Sequence, residues 1–219
     1  MVITLWSIWY ARRKAVYESI FQSPQQTTSF VNNYIQELGQ IHAEKVHEIT
    51  QRGAVVQQKR WLPPPSGMVK LNVDGVVARS RRGGAAAAIC REQDGHYLGS
   101  STVVYHGVTD PMMLETYACR EALALAEDLV TMNICVASDC QEVVNDINRG
   151  TGGPNAALIH EIMLRCNSFN SCSFVHERRN HNYEAHNLVK FACTLGLGRH
   201  VWLGNPQDPN LVPMSLVFE

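Results

Sequence analysis

From Val69 to Asp74 apolar and polar residues alternate, with Val69, Leu71 and Val73 set against Lys70, Asn72 and Asp74. A period of two predicts a strand. Gly75 is read as its end, where the backbone can turn. Gly83 to Arg91 has the character of a second strand of small residues, Gln93-Asp94-Gly95 carries a hairpin signal, and Tyr97 to Tyr105 returns as a third strand. Asp110-Pro111 opens a helix, with proline in the first turn. On that helix Glu115, Cys119, Ala122, Ala126 and Leu129 share one stripe, while Tyr117, Glu121, Ala124 and Asp128 share another.

Met132 to Ala137 is expected as a fourth strand, and Ser138-Asp139 as the cap of a helix over Gln141 to Asn148. A helix over Ala156 to Phe169, a fifth strand over Ser171 to His176 and a helix over Tyr183 to Leu195 follow, the last with Ala185, Leu188, Val189 and Ala192 inward. A meander of strands followed by crossovers implies an α/β fold, with a five-stranded mixed sheet flanked by helices.

Upstream, Val31, Tyr34, Ile35, Leu38, Ile41 and Val46 recur at helical spacing, and Trp6, Trp9, Val16, Ile20 and Phe21 suggest an earlier helix that breaks at Ser23-Pro24. Pro63-Pro64-Pro65 favours an extended form and marks a boundary. The expected organisation is therefore a helical extension and linker over 1–60, a domain over 61–195 and a tail over 196–219. The extension is expected to pack loosely.

Composition narrows the field. A hydrophobic content of 45% supports a real core, and a net charge of -1 supplies no global field for nucleic acid. Any nucleic-acid partner would be held by a local patch or by metal ions. The seven cysteines are odd in number and include no C-x-x-C pair, which suggests reduced thiols in an intracellular protein. Val2 to Tyr10 is apolar but too short to span a membrane, and it lacks the features of a signal peptide. The chain is read as a monomer with no membrane partner.

Three acids stand at element ends: Asp74 on the first strand, Glu115 near a helix start and Asp139 after the fourth strand. Glu115 heads a buried stripe, where an unpaired carboxylate is costly and a metal or a hydrogen-bond network would explain it. Hard divalent cations take oxygen ligands, and Mg²⁺ needs few of them from protein when phosphate and water complete its shell. The trio therefore points to metal-assisted phosphoryl transfer.

The ordered set Lys70-Leu71-Asn72-Val73-Asp74-Gly75, Glu115-Thr116-Tyr117-Ala118-Cys119-Arg120-Glu121-Ala122-Leu123, Ser138-Asp139-Cys140 and Arg179 through Leu188 resembles the ribonuclease H type 1 fold. It is most similar to the plant reverse transcriptase-like domains left by non-LTR retrotransposons. The resemblance implies hydrolysis of the RNA strand of RNA–DNA hybrids, with Mg²⁺ (or Mn²⁺) held by Asp74, Glu115 and Asp139. The family's fourth acid falls where this chain has His186, within Asn182-Tyr183-Glu184-Ala185-His186-Asn187-Leu188. An imidazole suits softer ions and brings no negative charge. The alternative expectation is thus a catalytically weak or inactive nucleic-acid-binding domain. His176 and His181 lie near the place of the family's mobile histidine without matching it, and no basic handle helix is evident. Phosphate contacts would fall to Arg79, Arg81, Arg82, Arg178 and Arg179.

Overall fold

The computed structural model describes residues 8, 9, 11, 12, 15, 16, 21, 23–25, 27–29, 31, 32, 60–78, 82–151 and 153–216. The chain divides into two compact units, Met1–Gln57 and Gln58–Glu219. In the first unit the described residues are helical except at Phe21 and Ser23. At the expected break, Ser23 is not helical and the helix resumes at Pro24, with the Thr27 amide and hydroxyl both donating to the Ser23 carbonyl. The apolar positions expected between Tyr34 and Val46 lie outside the described residues.

The second unit contains β1 (Val69–Ala78), β2 (Gly83–Arg91), β3 (Tyr97–His106), α1 (Pro111–Asp128), β4 (Asn133–Ser138), α2 (Gln141–Arg149), α3 (Ala156–Cys166), β5 (Ser171–His176), α4 (Tyr183–Ala192) and β6 (Gly198–Leu203). The sheet has six strands, not the expected five, in the order β5-β4-β1-β2-β3-β6. The sixth comes from the stretch read as a tail and pairs antiparallel with β3, from Gly99↔Leu203 to Val104↔Gly198. No described helix is long and apolar enough to cross a membrane.

The alternation on β1 and β2 sorts residues to two buried faces. Leu71, Val73, Ala86, Ala88 and Cys90 pack with α1, α2 and α3. Ala85, Ala87 and Ile89 pack with Leu188, Val189 and Ala192 of α4 and with Val212. Alanine is a poor strand former in isolation, but in β2 its small side chains allow helices to cover both faces closely. The run Ala85 to Ala88 is wholly buried.

The polar positions of β1 do not form a solvent face. Lys70, Asn72 and Asp74 are all buried. The Lys70 ammonium donates to Leu62 O at 2.6 Å and to Glu177. Arg91, at the end of β2, forms a two-point pair with Glu184 of α4, at 3.0 and 2.6 Å, and also donates to Gly95 O and Pro213 O. Sheet, helix and C-terminal segment are thereby joined at one buried guanidinium.

Four sequence expectations change. Gly75 does not end β1, which runs on to Ala78. Ser138 and Asp139 do not cap α2; Cys140 occupies the N-cap position without a side-chain bond, and Ser138 Oγ accepts from the Cys140 amide. Helices α3 and α4 stop at Cys166 and Ala192, three residues before the expected ends at Phe169 and Leu195. Glu121 is buried and bonded to Arg199 of β6 at 2.7 Å, a partner supplied by the strand that sequence reading missed.

Candidate metal centre

The ladder between β1 and β4 is parallel and ends at Val73↔Ser138. The next residue on each strand is an acid, Asp74 and Asp139. They stand side by side where this parallel ladder ends, Asp74 within β1 and Asp139 just past β4, close to the usual place for a site in an open α/β sheet. The third acid, Glu115, arrives from the first turns of α1. Asp110 starts this helix by accepting from the Met113 amide at 3.1 Å, with Pro111 at the first position.

Gly75 permits the helix to come this close. A Cβ built there would lie 2.5 Å from the Leu114 carbonyl carbon and 2.6 Å from the Glu115 amide nitrogen. Both are backbone atoms that cannot rotate away, so the glycine is required by a close approach and not by a turn. Gly75→Ala is expected to destabilise the domain by about 1–3 kcal/mol, the usual cost of overpacking. It should also weaken divalent-cation binding, because α1 carries Glu115. Urea denaturation and Mn²⁺ calorimetry check this; unchanged stability would contradict the close approach.

One ligand atom from each of Asp74, Glu115 and Asp139 lies within 4.8 Å of the others. Asp74 is buried, and Glu115 Oε2 is enclosed with no hydrogen-bond partner. Burial, with Asp74 and Asp139 alongside, pushes Glu115 up to about 9, while the Gly75 amide pulls the other way. Burial and then Asp74 also raise Asp139, against the opposing pull of Arg179 and His186. Three carboxyls with a single orphaned oxygen fit a hard divalent cation. The donors are all oxygen, and a positive charge would remove the repulsion that lifts Glu115.

This arrangement gives stability a pH dependence. In the cation-free folded chain Glu115 titrates near 9, against 4.5 for the ordinary group. Across that window the folded state holds a proton that the unfolded state has lost, so stability falls as pH rises. Thermal melts in chelator should show this decline from mildly acidic to alkaline pH. Glu115→Gln should flatten it, and added Mn²⁺ should raise the melting temperature most at the alkaline end. A flat profile for the wild type in chelator would count against the cluster.

His186 comes from the second turn of α4 and reaches the same place. Its Nδ1 lies 2.7 Å from Asp74 Oδ2, and an Arg179 amine nitrogen lies 2.8 Å from its Nε2. A guanidinium can only donate, so in this arrangement Nε2 accepts and Nδ1–H donates to the Asp74 carboxylate. With this hydrogen-bond pattern the one ring satisfies both partners.

The support behind His186 is a buried polar chain. Trp61 Nε1 donates to Asn72 Oδ1 at 2.9 Å, Asn72 Nδ2 to Asn182 Oδ1 at 3.0 Å, and Asn182 Nδ2 to Val73 O at 2.7 Å. Asn182 is the N-cap of α4 yet spends its side chain on β1. It fixes the start of the His186 helix against the strand that carries Asp74. Sequence reading assigned no role to Trp61, Asn72 or Asn182. The available signal was an asparagine two residues before Asp74 on the same strand face.

The remaining expected site residues are dispersed. Arg178 and Arg179 are exposed in the loop after β5, and Arg179 alone touches the acid cluster, through His186. Arg82 is exposed in the turn between β1 and β2, with a positive φ of 49°. Arg79 and Arg81 lie outside the described residues. His176 ends β5 and is exposed, and His181 Nδ1 lies 2.5 Å from Arg60 O.

Comparisons with known proteins bear on the family and the fold. Residues 72–192, more than half of the chain, match the family described as reverse transcriptase-like. Among solved structures the chain is similar to the RNase H1 of the halophilic archaeon Halobacterium salinarum NRC-1, with 21% identity and a TM-score of 0.54 over 58% of this chain and 98% of that one. It is also similar to the N-terminal RNase H domain of a Mycobacterium tuberculosis protein, with 18% identity and a TM-score of 0.52 over 58% and 94%. An RNase H1 isolated from compost by a metagenomic approach gives 20% identity and a TM-score of 0.52 over 58% and 96%. At such identities the likeness is one of fold. No curated protein matches.

Proposed function

The chain belongs to the reverse transcriptase-like family, and on that premise we propose that it hydrolyses the RNA strand of RNA–DNA hybrids with the help of Mg²⁺ or Mn²⁺. The observation that carries this reading is the buried, unpartnered Glu115 Oε2 within a cluster of three carboxyls whose ligand atoms lie within 4.8 Å. Asp74, Glu115 and Asp139 would hold the cation. The chemistry such an ion supplies when bound is activation of a water and neutralisation of charge on the phosphate.

The rest is the work of the chain itself. The β1–β4 ladder and the close-packed start of α1 hold the three carboxyls in place. His186 orients Asp74 by donating to Oδ2, and Arg179 holds the imidazole in the tautomer that can do so. Arg82, Arg178 and Arg179, with Arg79 and Arg81, are the proposed phosphate contacts. Such contacts read the hybrid's shape and backbone, not its bases. The motif set that resembles plant non-LTR retrotransposon domains supports an origin in such an element, and the odd number of cysteines, with no C-x-x-C pair, supports an intracellular setting. The assay is cleavage of a hybrid labelled on its RNA strand, with Mg²⁺ or Mn²⁺ and with chelator. Cation-dependent cleavage of RNA only in the hybrid supports the reading, and its absence at every cation concentration refutes it.

A second reading has its own observation. His186 engages one oxygen of Asp74, and among the described residues no further acid joins the trio. A cation bound there would have three carboxyls and no fourth, so the domain would bind hybrids and cleave them slowly. His186→Asp supplies a hard oxygen ligand and a negative charge, and it is expected to speed cleavage at fixed Mg²⁺. Equal or slower cleavage by the variant would make His186 a working part of the site.

A further inference from the structure

None of the seven cysteines is in a disulfide, but Cys166 and Cys172 differ from the rest in having each other as neighbours. The Cys172 thiol donates to the Cys166 sulfur across 3.1 Å. Cys90, Cys119 and Cys135 are buried, and burial raises each thiol. Cys140 donates to Met112 Sδ at 3.7 Å, and Cys193 donates to Val189 O at 3.5 Å. Both members of the close pair are only partly buried, and Asn167 and Ser168 beside them are exposed. A small reagent therefore has an approach.

The backbone on each side is fixed. Cys166 is the last residue of α3, and the turn after it is closed by Asn167 N to Leu164 O at 3.2 Å, Ser168 N to Arg165 O at 3.0 Å and Phe169 N to Cys166 O at 3.1 Å. Cys172 is the second residue of β5, in register with Ile134 of β4, and the neighbouring Ser171 N donates to Met132 O at 3.1 Å. The two sulfurs are thus brought together by secondary structure. A disulfide bond of ~2.05 Å needs them to close by about 1 Å.

We propose that Cys166 and Cys172 are a modification site that forms a reversible intramolecular disulfide with a low-molecular-weight disulfide of the glutathione type as oxidant. The two sulfurs have different roles. The hydrogen bond from Cys172 and the adjacent Arg165 favour thiolate at Cys166, and the same hydrogen bond disfavours it at Cys172. Cys166 is therefore the attacking sulfur. Its thiolate attacks one sulfur of the oxidant, forming a mixed disulfide and releasing one thiol, which takes up the proton Cys166 gave up. Cys172 then loses its proton and attacks the Cys166 sulfur, releasing the second thiol with that proton. Two protein thiols are oxidised and one small disulfide is reduced to two thiols.

The bond would tie the end of α3 to β5, the edge strand at one side of the sheet. Closing so short a loop restrains the unfolded chain modestly, so the melting temperature should rise by several degrees, on the order of 5 °C.

The test uses the full chain and oxidised glutathione. Peptide mapping without reductant is expected to find residues 166 and 172 joined, with the other five thiols still free and the melting temperature raised until reductant is added. Cys172→Ser should instead stop at a stable glutathione adduct on Cys166. Cys166→Ser should give neither adduct nor bond at residue 172. Mapping of the wild type answers the question even if a variant fails to fold. A wild-type glutathione adduct that never resolves, a bond joining other cysteines, or free thiols at both positions after prolonged oxidation would each overturn the proposal. Hybrid cleavage plays no part in this test, so its outcome is independent of the proposed activity.

Discussion

Asp74→Asn is expected to lower hybrid cleavage about 10³-fold, the effect of losing several kcal/mol of charge stabilisation when each 1.36 kcal/mol is tenfold. The size of the effect follows from position. Asp74 stands between the other members of the site, contributing to the raised titration of both Glu115 and Asp139 and accepting from His186 at 2.7 Å. The amide keeps the shape of the carboxyl, and its oxygen can still accept from His186, so the fold should survive. In chelator the variant should even melt higher than the wild type, since removing one of three like charges relieves Glu115. Mn²⁺ calorimetry should show weakened binding in parallel. Undiminished cleavage together with undiminished Mn²⁺ affinity would take Asp74 out of the site.

The largest effect on stability is expected at Arg91. Its side chain is 1% exposed and that of its partner Glu184 is 4% exposed, so neither charge has water to fall back on. Arg91→Ala leaves the carboxylate buried without its fork of donors and frees the carbonyls of Gly95 and Pro213 as well. Breaking a buried pair from one side costs about 3–5 kcal/mol, a large share of a domain's net stability. Urea denaturation should show the midpoint falling accordingly. The double variant Arg91→Met with Glu184→Leu should recover much of the loss, because no uncompensated charge remains. If the double variant is no better than the single one, shape and not charge is what the site needs.

Much of the frame was legible because periodicity and element ends speak directly. The alternation of Val69, Leu71 and Val73, the small-residue run of β2 and the Asp110-Pro111 start of α1 each follow from local chemistry. Asp74, Glu115 and Asp139 were legible for the same reason, since each stands at a recognisable point of an element. What escaped was non-local. Gly75 reads as a turn residue until α1 is seen passing over it. Glu121 reads only as a member of the second stripe of α1 until Arg199 arrives from β6. That strand itself, Gly198 to Leu203, mixes arginine, histidine, valine and tryptophan in a short, half-exposed edge, and its pairing with β3 has no local signature. Asn72 and Asn182 lie 110 residues apart, so their bond cannot be read from either segment alone.

The late arrival of these partners bears on how the protein is made. Arg91 precedes Glu184 by 93 residues and Pro213 by 122. At about 5–20 residues per second of synthesis, the arginine would wait roughly 6–25 s for its last acceptor. For most of that interval β3 has no outer neighbour, because β6 has not been made. A nascent chain halted near residue 195 would carry an open strand edge beside an incompletely partnered buried cation. Such a chain would invite pairing with another like it, or capture by a chaperone. The segment from Gly198 to Pro213 is thus the closing step of folding, because the sheet can be completed only once β6 has been made.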